Sequence, residues 1–173
     1  MYRWRDMNIP YSDGQVVYDL IIKNHYTRAL EIGTSTGHSA IWIAWALSTT
    51  GGRLITVEID EGRYKEAVEN CREAGVAGFI DARLADAREL VPALDDPFDF
   101  VFCDADKNRY KQYFMAILPK LTTGGCFAAH NVGGMRGYGD VTDFLEYVRK
   151  MPNMETVIIP SSKAGISVSK KIR

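Results

Sequence analysis

Hydrophobic and polar positions along this chain alternate between two patterns: short β-rich runs and longer stretches with helical spacing. Apolar, β-branched and aromatic runs at 28–32, 53–58, 80–84, 98–103 and 126–129 predict strands. Between them, apolar residues three and four apart predict helices at 14–24, 39–48, 61–74, 110–118 and 140–149, the first preceded by the cap candidates Ser12 and Asp13. Near the carboxyl end, METVIIP and AGISVSKKI flank the turn signal SSKAG, the pattern of an antiparallel hairpin. Strands alternating with helices predict an α/β architecture, a doubly wound, mostly parallel seven-stranded sheet with that C-terminal antiparallel hairpin and helices on both faces. No repeat, low-complexity tract or linker interrupts the order, so residues 1–173 read as one domain. Such sheets bind ligands outside the carboxyl ends of their strands, which puts the ends of the first, second, fourth and fifth strands on one rim.

Composition narrows the class of ligand. The 173 residues are 46% hydrophobic and 25% charged, with a formal net charge of −1 and basic residues scattered along the chain. That balance gives no electrostatic footprint for nucleic acid and no polybasic membrane anchor, so the expected partner is a small molecule. The longest apolar run, AIWIAWAL at 40–47, is too short to span a bilayer, and MYRWRDMN lacks the apolar stretch of a signal peptide. A cytoplasmic location is expected. Cys71, Cys103 and Cys126 are odd in number, isolated and set among apolar residues, which favours small core residues over disulfides or a metal-binding pair.

The rim carries the chemistry. The first strand runs into ALEIGTSTGHSA, where Gly33 and Gly37 bracket a tight turn feeding a helix whose free N–H groups suit an anion. A dinucleotide fingerprint would place a glycine at position 35, but Ser35 stands there and the spacing is GxxxG. The second strand ends at Glu58, an acceptor for both hydroxyls of a ribose. The fourth ends in FDFVFCDADKNRY, which drives an apolar run into Asp104, Asp106 and Lys107. Loops after strands carry charge simply because they face water, so this cluster alone decides nothing. Asp106 reads as a solvated loop acid, and Tyr110 and Tyr113 as packing for the following helix.

Taken together, these residues resemble the class I S-adenosylmethionine-dependent O-methyltransferases of the catechol and caffeoyl-coenzyme A type. The resemblance rests on MNIPYSDGQV (7–16), LEIGTSTGHSA (30–40), RLITVEID (53–60), ADA (85–87), DFVFCDADKNRYKQYF (99–114) and AAHNV (128–132), the DADKxxY segment being the most specific. It implies a Rossmann-like fold and S-adenosylmethionine as cofactor. Met7 and Ile9 would lie against that cofactor, the turn with Glu31, Gly33, Thr34, Gly37 and Ser39 would hold its methionine part, Glu58 with Ile59 its ribose, and Asp86 and Ala87 its adenine. Asp104 would border the sulfonium and ligate a divalent metal, which orients two vicinal hydroxyls of the acceptor. Lys107 matches the general base, because an oxyanion attacks a methyl group far better than a neutral alcohol does.

One position departs from the resemblance. Where the family usually has Asp-Asn, this chain has His130-Asn131. Three readings stand: a metal site rebuilt from Asp104, His130 and Asn131 with a preference shifted from magnesium or calcium toward manganese, iron, nickel or zinc; a metal-free site with His130 or Lys107 as base; or a structural histidine. The family's usual N-terminal helices, which cover the acceptor and build a homodimer, have little counterpart ahead of the cofactor segment, so the glycine-rich GGMRGYG loop (133–139) is the expected local cover. The leading expectation is methyl transfer to a hydroxyl of a small, aromatic, catechol-like acceptor. A non-catalytic S-adenosylmethionine-binding module and a nicotinamide-dependent oxidoreductase stand as alternatives, the last disfavoured by the missing glycine.

Overall fold

The computed structural model describes residues 9–133 and 140–173. Helices α1 (Tyr11–Asn24), α2 (His38–Thr50), α3 (Glu61–Glu73), α4 (Ala87–Ala93), α5 (Tyr110–Ile117) and α6 (Thr142–Arg149) alternate with strands β1 (Arg28–Ile32), β2 (Arg53–Glu58), β3 (Ile80–Leu84), β4 (Phe98–Cys103) and β5 (Leu121–His130). Strands β6 (Met154–Ile159) and β7 (Ile166–Lys171) complete one sheet in the order β3-β2-β1-β4-β5-β7-β6. The pairings among β1 to β5 are parallel, and β7 runs antiparallel to both of its neighbours. The expected seven-stranded, doubly wound sheet with its terminal hairpin is what the chain forms.

Side-chain alternation along the strands divides the core into two layers. In β1, Ala29 joins Val17, Ile21, Ile43 and Leu47 of α1 and α2, whereas Leu30 and Ile32 join Phe114, Ile117 and Phe144 of α5 and α6. Strands buried on both faces read as nearly continuous apolar runs, which is why β1, β2 and β4 have the expected boundaries; the edge strand β3 has them although it is only partly buried. Helices α1 and α2 cross closely because Gly14 lacks a Cβ, whose position would fall 2.3 Å from the Trp42 indole.

Four departures from expectation have local reasons. Helix α1 begins at Tyr11, with Pro10 at its N-cap, so Ser12 and Asp13 stand in the first turn and their side chains are free for other partners. Strand β5 starts at Leu121, five residues before the expected 126, because Gly124 and Gly125 conceal a strand whose register against β4 shifts between Phe98 and Phe100. The short α4 was not expected; it contains Pro92 and is capped by the Asp86 carboxylate, which accepts from Arg88 N–H at 2.9 Å. Helix α6 starts at Thr142 because Asp140 accepts from its N–H at 2.8 Å and stays outside the helix. Among the described residues, no helix is long and apolar enough to cross a membrane.

Candidate active site

The strand order reverses between β1 and β4, and this switch point opens a crevice beyond their carboxyl ends. A cavity of about 500 Å³ lies there, a size common for small-molecule sites. Its wall includes Gly33, Glu58, Ile59, Asp86, Ala87, Asp104, Lys107 and Asn131 among the expected residues. Ser35, Arg63, Arg88, Asp106, Arg109 and Tyr113 add polar groups that strand-end reasoning did not assign to a ligand.

Backbone geometry brings the two sides of the crevice together. Gly33 has φ +94°, and a Cβ there would fall 2.3 Å from the Asp104 carbonyl oxygen, so only glycine lets the β1 turn pass this close to the end of β4. Ser35, in the place of a dinucleotide-type glycine, adopts φ +49° and donates its N–H to Glu58 at 2.7 Å. The other Glu58 oxygen accepts from Ile59 N–H at 3.0 Å and Asp60 N–H at 2.9 Å. Three main-chain donors therefore fix this carboxylate on the cavity wall. Also on the wall, both Asp86 oxygens pair with the Arg88 guanidinium, and this pairing with the Arg88 N–H holds the carboxyl down at about 2.

Five expected cofactor residues, Ile9, Glu31, Thr34, Gly37 and Ser39, do not line the cavity. Glu31 is wholly buried and accepts hydroxyl hydrogen bonds from Ser39 and, at 2.6 Å, from Thr56. Thr34 shares a 2.6 Å hydrogen bond with Thr56, and Gly37 caps α2. Burial pushes the Glu31 carboxyl up to about 8, against the pull of the Ser39 and Thr56 hydrogen bonds. Ile9 is buried beside α1 in the core, and Met7 lies outside the described residues, as does most of the 133–139 loop.

At the end of β4, Lys107 Nζ donates to Asp104 Oδ1 at 2.9 Å, to the Tyr110 hydroxyl at 2.7 Å and to the Ala105 carbonyl at 3.3 Å. The Tyr110 hydroxyl donates in turn to the His130 carbonyl at 3.0 Å. Tyr110 is thus more than helix packing, since it ties the lysine to β5. Asp106 is the N-cap of a single 3-10 turn, Lys107–Arg109, and accepts from Asn108 N–H at 3.1 Å.

The His130 ring is buried between two carboxylates. Nδ1 lies 3.0 Å from Asp104 Oδ2, and Nε2 lies 2.9 Å from Oδ2 of Asp13, a wholly buried residue of α1. Burial opposes charge on the ring, but hydrogen bonds and fields from Asp104 and Asp13 outweigh it and raise the His130 pKa. Burial likewise works against ionised Asp104 and Asp13, yet His130 leads the opposing effects and both carboxyls end below their usual range, Asp104 at about 2. Asp13 was read from sequence as a cap; only the tertiary fold shows its link to His130, across 117 residues.

Comparison with known proteins identifies the family and the fold. The sequence model of a family described as O-methyltransferase matches residues 1–157. A catechol O-methyltransferase of Niastella koreensis is 39% identical over 107 residues, covering 60% of this chain and 48% of that protein. A catechol O-methyltransferase of Mycobacterium tuberculosis is 33% identical over 131 residues, covering 73% and 59%. The chain thus spans about half the length of the curated relatives it matches. Among solved structures, an O-methyltransferase of tomaymycin synthesis from Streptomyces achromogenes, in complex with SAM, superposes with a TM-score of 0.85 at 27% identity, covering 97% of this chain and 83% of that one. An O-methyltransferase from Bacillus cereus, at 24% identity and a TM-score of 0.86 over 96% and 84%, shares the fold.

Proposed function

Because this chain belongs to the O-methyltransferase family, we propose that it transfers a methyl group from S-adenosylmethionine to a hydroxyl of a small aromatic, catechol-like acceptor. The observation that supports this most directly is the placement of Asp104 and Lys107 on the same cavity wall as Gly33 and Glu58. Cofactor and reacting groups would then share one crevice.

The residues present suit the cofactor. The close approach at Gly33 leaves bare main chain facing the cavity, and Glu58 offers its remaining lone pairs to a ribose. Asp86 and Ala87 line the wall at the end of β3, where an adenine would lie. When bound, the cofactor supplies an electrophilic methyl group on a sulfonium. Asp104 would place negative charge near that sulfonium, and the crevice would hold acceptor oxygen and methyl in line. Lys107 is the group assigned to draw the hydroxyl toward its oxyanion: it takes the proton and then pairs with the oxygen's negative charge. To act so, Nζ must first release one proton to solvent, since it donates hydrogen bonds to Asp104, Tyr110 and Ala105.

A divalent cation, if present, would need donors from Asp104, His130 and Asn131. Asn131 faces the cavity, but both Asp104 oxygens and both His130 nitrogens are engaged with protein partners. No group of three His, Cys, Asp or Glu able to hold a metal occurs among the described residues. No step of the mechanism above passes through a metal.

The reading is tested by calorimetric titration with S-adenosylmethionine and with NAD, followed by a methyl-transfer screen over phenols and catechols. S-adenosylmethionine should bind and label a catechol. Binding of NAD in its place would overturn the proposal.

A further inference from the structure

A wholly buried carboxylate needs a reason, and Asp13 has one. Its Oδ1 accepts from Lys163 N–H at 3.0 Å and Oδ2 from Ala164 N–H at 3.4 Å, while Oδ2 also meets His130 Nε2. Asp104 meets the other face of the ring. For an imidazole to bond a carboxylate through each nitrogen, each nitrogen must carry a hydrogen, and a ring in that state has no lone pair for a metal. The charges then alternate Asp13, His130, Asp104, Lys107 and cancel. With an aspartate at position 130, three carboxylates and Lys107 would need a divalent cation to reach the same balance.

We propose that His130, clamped by Asp13, is a built-in cation standing where the family resemblance implies a divalent metal beside Asp104, so that this chain neither binds nor requires one. Asp13 is a positioning residue: it fixes the ring through Nε2 and thereby the orientation of the Asp104 carboxylate that Lys107 shares. The closed circuit from the His130 ring through Asp104, Lys107 and Tyr110 back to the His130 carbonyl gives that orientation no slack. The inference concerns the site of the proposed methyl transfer and rests on that reading only for its catalytic consequence.

The test uses the full chain and reads metal binding apart from activity. Melting temperatures are taken with a chelator and with magnesium, manganese or zinc added, alongside elemental analysis of the purified protein. The wild type should hold no stoichiometric metal and should melt at the same temperature throughout. A ligand bound at about 100 times its Kd would raise that temperature by roughly 5 °C or more. His130→Asp should melt lower and be restored by magnesium or manganese, because it sets a third carboxylate beside two others. Nitrogen NMR of the wild-type imidazole should show two N–H nitrogens, and Asp13→Asn should remove one while leaving the protein folded. Metal in stoichiometric amount in the wild type, a chelator-induced fall in its melting temperature, or a nitrogen without hydrogen in the ring would each overturn the proposal, even if His130→Asp fails to fold. None of these readouts needs a methyl acceptor, so absence of methyl transfer would count against the proposed function alone.

Discussion

At the scale of single residues, Lys107 and Glu58 separate chemistry from binding. Lys107→Ala should reduce turnover by roughly 10²–10⁴-fold, the usual span for a lost acid–base group, while calorimetry finds cofactor affinity little changed. Glu58→Ala should act on affinity, weakening S-adenosylmethionine by about 1.5–3 kcal/mol, the scale of hydrogen bonds to a charged acceptor. A third residue, Glu31, makes stability depend on pH. Its carboxyl is pushed from 4.5 up to about 8, chiefly by burial, so the folded chain keeps a proton that the unfolded chain releases. The stability it contributes is complete below about pH 4.5, falls as pH rises, and is gone above about 8. Urea titrations across that window should show the decline, and Glu31→Gln should flatten it. The sequence pointed to Glu58 as a charge ending an apolar strand, and to Asp104 and Lys107 through the resemblance carried by the DADKxxY segment. It could not announce Asp13 as a partner of His130, because burial and a contact between α1 and β5 are properties of the tertiary fold.

At the scale of elements, the turn after β1 is the most constrained piece of backbone at the site. Gly33→Ala would place a methyl 2.3 Å from the Asp104 carbonyl at a backbone angle that alanine avoids. It should lower stability by about 1–3 kcal/mol in denaturant titration and also shift the wall against which the cofactor rests. Elements were legible where one physical signal dominated. Strands buried on both faces and the amphipathic α3 and α5 came out within a residue or so of their observed bounds. Where two signals competed, sequence reading stopped short: Gly124 and Gly125 masked the first half of β5, and Pro92 hid the short α4. The turn itself looked like a place for glycine, yet Ser35 also enters the left-handed region, held there by its N–H bond to Glu58.

At the scale of the whole molecule, the order of strands in the sheet differs from their order in the chain, and β7 sits between β5 and β6. A ribosome releases β6 before β7, and during that interval β6 has no neighbour in the sheet while the outer edge of β5 is bare. The loop between them also carries Lys163 and Ala164, whose N–H groups reach Asp13. The parallel half of the sheet can therefore assemble early, but the clamp on His130 waits for the returning hairpin. Hydrogen exchange on nascent chains halted before residue 166 should find the amides of β1 and β4 protected and those of β6 exchanging freely. Protection of β6 in such a chain would contradict this order. A nascent chain halted before residue 166 would present a nearly finished nucleotide-type crevice in which Asp13 is not yet anchored against His130, so the clamp at the reactive end of the site is set only as synthesis passes β7.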